Sequence, residues 1–314
     1  MLGRTASSLY WMSRYMERAE NMARLLDVGY RMSLTPGLDS GHREQWESTL
    51  QAAALSDTFF AAHENAMMPQ VRNFMLFEES NPSSVRNCLL AARSNARAVR
   101  TAITTEMWES INGTWLEFSQ VKPSSVTADE LPRLLDWIKR NTAQFRGAML
   151  NTILRDDGYS FLQLGVFNER ADNTARILDV KYYVLLPRSE LVGSDVDMQQ
   201  WMMILRAASA HRSYRHVYRD RYKAWNIADF LILRREMPRS LAHCYAWINS
   251  TMEDLETFYG VRLECHDLAK KAHLQLRNGN MDVIFQQGLH EFLADFMQQN
   301  NTLGASIAEN YNFF

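Results

Sequence analysis

Glycine and proline are scarce, thirteen and seven in 314 residues, roughly half their usual combined share. Sheet-rich folds need frequent turns built from these two residues, so the shortage excludes most all-β architectures and favours long helices. Cysteine is scarcer still. Cys88, Cys244 and Cys265 are odd in number and widely spaced, which excludes a disulfide framework and fits reduced thiols in a cytoplasmic protein. A charge of one sign is also lacking. Lys and Arg number 34 against 36 Asp and Glu, a net charge of −2, so nothing draws the chain as a whole to nucleic acid or an anionic membrane. No window of about 18 residues is both uncharged and strongly apolar, so no membrane span is expected. Residues 1–8 lack a charged start followed by an apolar core, so no signal peptide is expected. What is present is apolar content of 46%, which excludes a largely disordered chain and suffices for one large domain or two ordinary ones.

The chain repeats itself. Residues 15–30 read YMERAENMARLLDVGY and residues 167–182 read FNERADNTARILDVKY, with ten of sixteen positions identical at an offset of 152. The match continues more weakly: Gln45, Trp46 and Leu50 answer Gln200, Trp201 and Leu205 at 155. Phe74, Pro82, Ser84 and Cys88 answer Phe230, Pro238, Ser240 and Cys244 at 156. The preserved order indicates two related halves, residues 1–113 and 160–277, with a loop and connecting helix at 114–159 and a C-terminal helix and tail at 278–314.

Met12, Tyr15, Ala19, Met22, Ala23 and Leu26 recur at helical spacing. The same period predicts helices over 43–68, 83–111, 130–154, 161–185, 197–223, 239–258, 261–277 and 281–309. Stops are expected at Thr35-Pro36-Gly37, Asp156-Asp157-Gly158, Leu186-Pro187 and Asn278-Gly279. Asn81-Pro82 and Met237-Pro238 place proline where a helix can begin. Residues 114–129, with Lys122-Pro123, are expected to form a long surface loop. The expected fold is all-α: two duplicated helical-bundle halves of long antiparallel helices, related by a pseudo-twofold axis and packed as one unit.

The repeated polar face carries the most information. Glu17, Asn21 and Arg24 share one side of the first helix, with Arg18, Glu20 and Asp27 beside them, and their counterparts are Glu169, Asn173, Arg176, Arg170, Asp172 and Asp179. A solvated face with ion pairs Glu20–Arg24 and Arg24–Asp27 could vary freely, yet this face differs less between the halves than the apolar one does. Three readings stay open: a buried network between the halves, a ligand or partner site, and a plain surface. A buried set must be fully hydrogen-bonded. If the paired glutamates met across the axis, one could stay protonated and act as a general acid or base.

ASSLYWMSRYMERAENMARLLDV (6–28) and FLQLGVFNERADNTARILDV (161–180) resemble the Glu-Arg signature of the bacterial Alpha-E domain family. Residues 81–112, 237–244 and 287–314 resemble it as well, so the likeness runs along nearly the whole chain. Met16 and Asn168, which precede the two Glu-Arg pairs, do not agree with each other. The resemblance implies an all-helical fold that often carries the signature twice, and no settled activity. It also implies company: a circularly permuted ATP-grasp protein, a transglutaminase-like cysteine peptidase and, in some clusters, a proteasome-like Anbu peptidase. ATP-grasp enzymes activate a carboxylate as an acyl-phosphate for attack by an amine, so a helical companion could bind the amine, shape the site or scaffold the assembly. Arg93, Arg97 and Arg100, followed by Glu106, lie in the resembling stretch and are expected to join the polar network.

Other candidates are weaker. Arg206, Arg212, Arg215, Arg219, Arg221 and Lys223 form a basic run opposed by Asp220, with Tyr214, Tyr218 and Tyr222 at i,i+4 spacing. Such a helix can bind an anionic ligand or nucleic acid, but a tyrosine stripe edged by arginines is more often a core or partner face. Cys88 and Cys244 have no histidine at a telling spacing. Marks of zinc, di-iron, P-loop and dinucleotide sites are missing, so no metal or cofactor is expected.

Two function classes follow. The first is an accessory, scaffolding or substrate-binding subunit working with the ATP-grasp ligase and the transglutaminase-like protein in peptide or amide bond formation or modification. The second is a free-standing enzyme using Glu17, Arg18, Glu169 and Arg170 for acid–base chemistry on a carboxylate or amide.

Overall fold

A computed structural model describes residues 1–34, 41–185, 195–219 and 222–313. The expected stops at Thr35-Pro36-Gly37 and Leu186-Pro187 lie outside the described residues, as do Asp220 and Arg221 of the basic run. The described residues form fifteen α-helices and one short 3-10 turn at Pro123–Ser125, with no strand among them.

Two long helices form the centre, α1 (Gly3–Ser33) and α8 (Asp157–Leu185), and they pack along each other. They run in the same sense, because contacts climb both helices together: Ser13 Oγ donates to the Leu162 carbonyl at 2.8 Å, and further along Arg170 reaches Glu17. The polar as well as the apolar residues of α1 are buried from Leu9 to Gly29, Trp11, Tyr15 and Arg18 being half-buried. A helix enclosed on all sides has no solvated face on which charged groups can rest, so the face shared by the two halves points inward.

The remaining elements pack in two series that run in the same order. After α1 come α2 (Gly41–Ala52), α3 (Ser56–Phe60), α4 (Met68–Leu76), α5 (Val85–Ala98), α6 (Thr105–Ser119) and α7 (Leu131–Thr152). After α8 come α9 (Asp195–Ala207), α10 (His211–Tyr218), α11 (Ala224–Ile232), α12 (Leu241–Tyr259), α13 (Glu264–Arg277), α14 (Met281–Gln287) and α15 (Leu289–Asn310). α5 packs on α1 and α6, as α12 packs on α8 and α13. α7 packs on α1 and α6, as α15 packs on α8 and α13. The connecting helix and the tail helix thus take matching places and are not mere appendages.

Local chemistry places the ends. α2 and α9 both close with a non-glycine residue at positive φ, Ala54 at 55° and Ser209 at 53°. The following amide bonds five residues back, Leu55 to the Leu50 carbonyl and Ala210 to the Leu205 carbonyl, the Schellman pattern that satisfies the last carbonyls of a helix. Ser84 and Ser240 cap α5 and α12, accepting from the Asn87 and His243 amides.

Several expected boundaries move. The helices predicted over 43–68 and 197–223 are each interrupted by those closures, because the apolar period survives a tight reversal. The one over 83–111 ends at Ala98 and restarts after Thr104, which caps α6 through the Met107 amide. The one over 281–309 breaks at Gly288, φ 104°. The expected loop at 114–129 begins later, since α6 continues to Ser119 with Met107, Ile111, Thr114 and Phe118 buried at helical spacing. Pro82 and Pro238 sit in turns just before the serine caps, with Ser84 N bonded to Asn81 O and Ser240 N to Met237 O, and not in the first helical turn.

Candidate functional site

Close approach of α1 and α8 brings the two Glu-Arg pairs together. A methyl group added to Gly165 would stand 2.2 Å from Ser13 Oγ and 2.3 Å from the Tyr10 carbonyl oxygen, so the backbones touch where small residues face each other. One turn later the signatures cross. Arg170 donates to Glu17 at 2.6 Å through Nη2, and Arg18 donates to Glu169 at 2.5 Å through Nε and 2.9 Å through Nη2. Each glutamate therefore holds the arginine of the other helix.

A second arginine completes each carboxylate, from a different source on either side. Glu17 accepts from Arg146 of α7 at 2.8 Å, and Glu169 accepts from Arg14 of α1 at 2.8 Å. Arg14 has room because Gly304 of α15 lies opposite: a methyl group there would come within 3.3 Å of its Nη1. Glu20, fully buried, gathers Arg24 and Arg239 on Oε1 and Arg146 on Oε2, to which Thr142 Oγ1 also donates at 3.0 Å.

Residues 1–312 match the family model of the Alpha-E domain, described as a predicted alpha-helical domain with a conserved ER motif. The chain belongs to the Alpha-E family. Comparison with curated proteins and with solved structures returns no match.

The ER motif of this Alpha-E chain is a crossed pair of ion pairs, and its electrostatics follow from that. Burial pushes the Glu169 carboxyl up, but the charges of Arg18 and Arg14 outweigh it and hold it down at about 2. Burial likewise opposes ionisation of Glu17 and Glu20. Arg146 and Arg170 nevertheless lower Glu17, and Arg239, Arg24 and Arg146 hold Glu20 well below the ordinary range. The two glutamates do not hold each other: each is held by arginines, whose charges favour the ionised carboxylate.

The other expected members divide. Arg24 pairs with Glu20 at 2.5 Å but not with Asp27; its Nη1 donates instead to the Ala207 carbonyl at 2.5 Å and Ser209 Oγ at 2.9 Å. Asp27 takes Arg31 at 2.8 Å and Lys139 at 3.2 Å. Arg176 pairs with Asp172 at 2.6 Å, and Asp179 meets His290 of α15 at 2.7 Å. Asn21 and Asn173 are buried, yet Asn21 Oδ1 and both amide atoms of Asn173 have no hydrogen-bond partner among the described residues. Arg97, Arg100 and Glu106 do not join the network. All three are exposed, Arg97 at the end of α5, Arg100 in the turn after it and Glu106 in the first turn of α6, and Arg100 lies over the Trp108 ring at 5.4 Å.

Arg14 and Arg239 have no counterpart at the repeat offsets, where Val166 and Ser83 stand, and Arg146 lies in the connecting helix between the halves, so comparing the halves could not reveal them. Asn168 is a further addition: it bonds Asn300 and accepts from Tyr10, and Tyr245 joins through Asn300. Its disagreement with Met16 was the one signal available.

The basic run also resolves. Tyr214 is buried and stacks on Tyr218 and Tyr222 at 5.0 and 5.5 Å, and Tyr218 donates to Asp229 of α11. Arg212, Arg215 and Arg219 face outward. The stripe is a core face edged by arginines and offers no open aromatic platform for bases. Cys88 and Cys244 are buried, and burial pushes both thiols up to about 12. Among the described residues no group of three or more His, Cys, Asp or Glu could hold a metal ion, and no helix is long and apolar enough to cross a membrane.

Proposed function

We propose that this Alpha-E protein is an accessory subunit, scaffolding or substrate-binding, that works in the cytoplasm with a circularly permuted ATP-grasp ligase. A transglutaminase-like protein and an Anbu-type peptidase system would belong to the same assembly, and peptide or amide bond formation or modification would be its chemistry. One observation carries the reading: the four charged groups of the duplicated signature are engaged with one another. Glu17 and Glu169, each held ionised by two arginines, lack the raised pKa a general acid needs at neutral pH. That weighs against the free-standing enzyme and favours chemistry supplied by a partner. Family membership supports the partner's identity through the company the resemblance implies.

The test is ADP release by the cognate ATP-grasp protein, given an amino-acid and peptide mixture, with and without this chain. Stimulation together with co-elution is expected. Neither stimulation nor co-elution would overturn the reading, and turnover by the isolated chain would favour the enzyme.

A further inference from the structure

Charge does not balance around the crossed pairs. Glu17, Glu20, Glu169 and Asp172 face Arg14, Arg18, Arg24, Arg146, Arg170, Arg176 and Arg239. Seven guanidiniums against four carboxylates leave three positive charges over, on side chains that are 9 to 22% exposed. The carbonyl end of α9 offsets part of one, because Arg24 donates to Ala207, the last residue of that helix. Asp179 also feels Arg176, so the excess is largest around Glu17 and Glu20, where Arg24, Arg146, Arg170 and Arg239 meet two carboxylates, and a buried charge is tolerated when it is paired.

Unused hydrogen-bonding groups lie on Arg239 and on the two central helices that it touches. Arg239 holds Glu20 through Nη2 at 2.5 Å, while its Nη1 is buried without a partner among the described residues. Asn21, which follows Glu20, leaves Oδ1 unmatched, and Asn173 leaves its whole amide unmatched at 1% exposure. Asn173 precedes Thr174, whose hydroxyl donates to the Arg239 carbonyl at 2.7 Å. Buried polar groups of native proteins are nearly always satisfied, so several unsatisfied together call for a missing partner. Burial and the neighbouring Arg24 charge also push the Arg239 guanidinium down to about 9, against the pull of Glu20. Arg146, which bridges Glu17 and Glu20, is 17% exposed and brings the cluster to the surface.

We infer that the cluster of Arg239, Arg24, Arg146 and Asn173 is a binding site for a phosphate group, free or carried by a small molecule. A phosphate dianion offers enough charge to offset most of the excess, and its oxygens suit the fork of donors on a guanidinium. Asn173 would donate through Nδ2, and Arg239 through Nη1 while keeping Glu20 on Nη2. The inference rests on charge and unmatched donors, so it stands or falls apart from the ligase partnership.

The full chain is tested with inorganic phosphate by equilibrium dialysis and by thermal unfolding against chloride at matched ionic strength. Wild type should show saturable binding and a saturable rise in melting temperature. Asn173→Ala removes an amide that holds no protein partner, so it should melt no lower in chloride and bind phosphate about tenfold more weakly. Arg239→Lys keeps the charge but loses the second donor, and gives an independent reading should Asn173→Ala fold poorly. A rise that never saturates, or that is equal in wild type and variants, would be the general salting effect of phosphate and would overturn the site.

Discussion

Gly165 of α8 lies against Ser13 of α1 so closely that a methyl group on the glycine would be 2.2 Å from the serine oxygen and 2.3 Å from the Tyr10 carbonyl. A backbone oxygen cannot swing aside, so Gly165→Ala must push the two central helices apart just before the crossed pairs. The expected cost is about 1–3 kcal/mol from overpacking, with further loss if Arg18 and Arg170 are drawn off their glutamates. Urea unfolding measures it; a neutral outcome would mean the helices are not in register here.

Acid should unfold the protein through the cluster. Glu169 sits at about 2 in the fold against an ordinary 4.5, and Glu17 and Glu20 shift in the same direction. A depressed carboxyl stabilises the fold above its unfolded pKa, and that stabilisation is lost as pH falls through the folded value. Stability should therefore decline between about pH 5 and about pH 2, with Glu169 alone contributing on the order of 3 kcal/mol. Glu169→Gln, less stable at pH 7, should show a shallower decline, as circular dichroism against pH would reveal.

Thiol chemistry offers a native-state check. Cys88 and Cys244 are buried and raised to about 12, and the thiolate is the reactive form. Both should resist alkylation in the folded protein at neutral pH and react once it is denatured. Mass spectrometry after brief iodoacetamide treatment reports this, and rapid native labelling of either would show the site to be open.

Arginines that looked alike in the sequence should part company. Arg146 holds Glu17 and Glu20, so Arg146→Met should cost about 3–5 kcal/mol by stranding buried carboxylates. Exposed Arg97 has no such partner, and Arg97→Met should stay within about 0.5 kcal/mol. Denaturant midpoints compare the two directly.

The helical class was legible from the shortage of glycine and proline, while the likeness of the polar face across the halves left a buried network, a ligand site and a plain surface open. Periodicity overran the breaks at Ala54 and Ser209, because a non-glycine residue at positive φ carries no sequence mark of its own. The resemblance suggested that Arg97, Arg100 and Glu106 join the network, but their side chains are exposed, as their spacing alone would have read them. The crossing of Glu17 with Arg170 depends on the approach of helices some 150 residues apart in sequence and could be stated from the sequence only as a possibility. Arg14 and Arg239 break the internal repeat and Arg146 lies in the connecting helix, so no comparison of halves could find them.

The central claim is that the ER motif of this chain is a clasp between α1 and α8. A double-mutant cycle on Glu17→Gln and Arg170→Gln, read by urea unfolding at neutral pH, tests it most directly. The clasp predicts that each single change is strongly destabilising and that the pair couples by about 1–3 kcal/mol. Additive losses, within about 0.5 kcal/mol, would contradict it and return the signature to the surface or to catalysis.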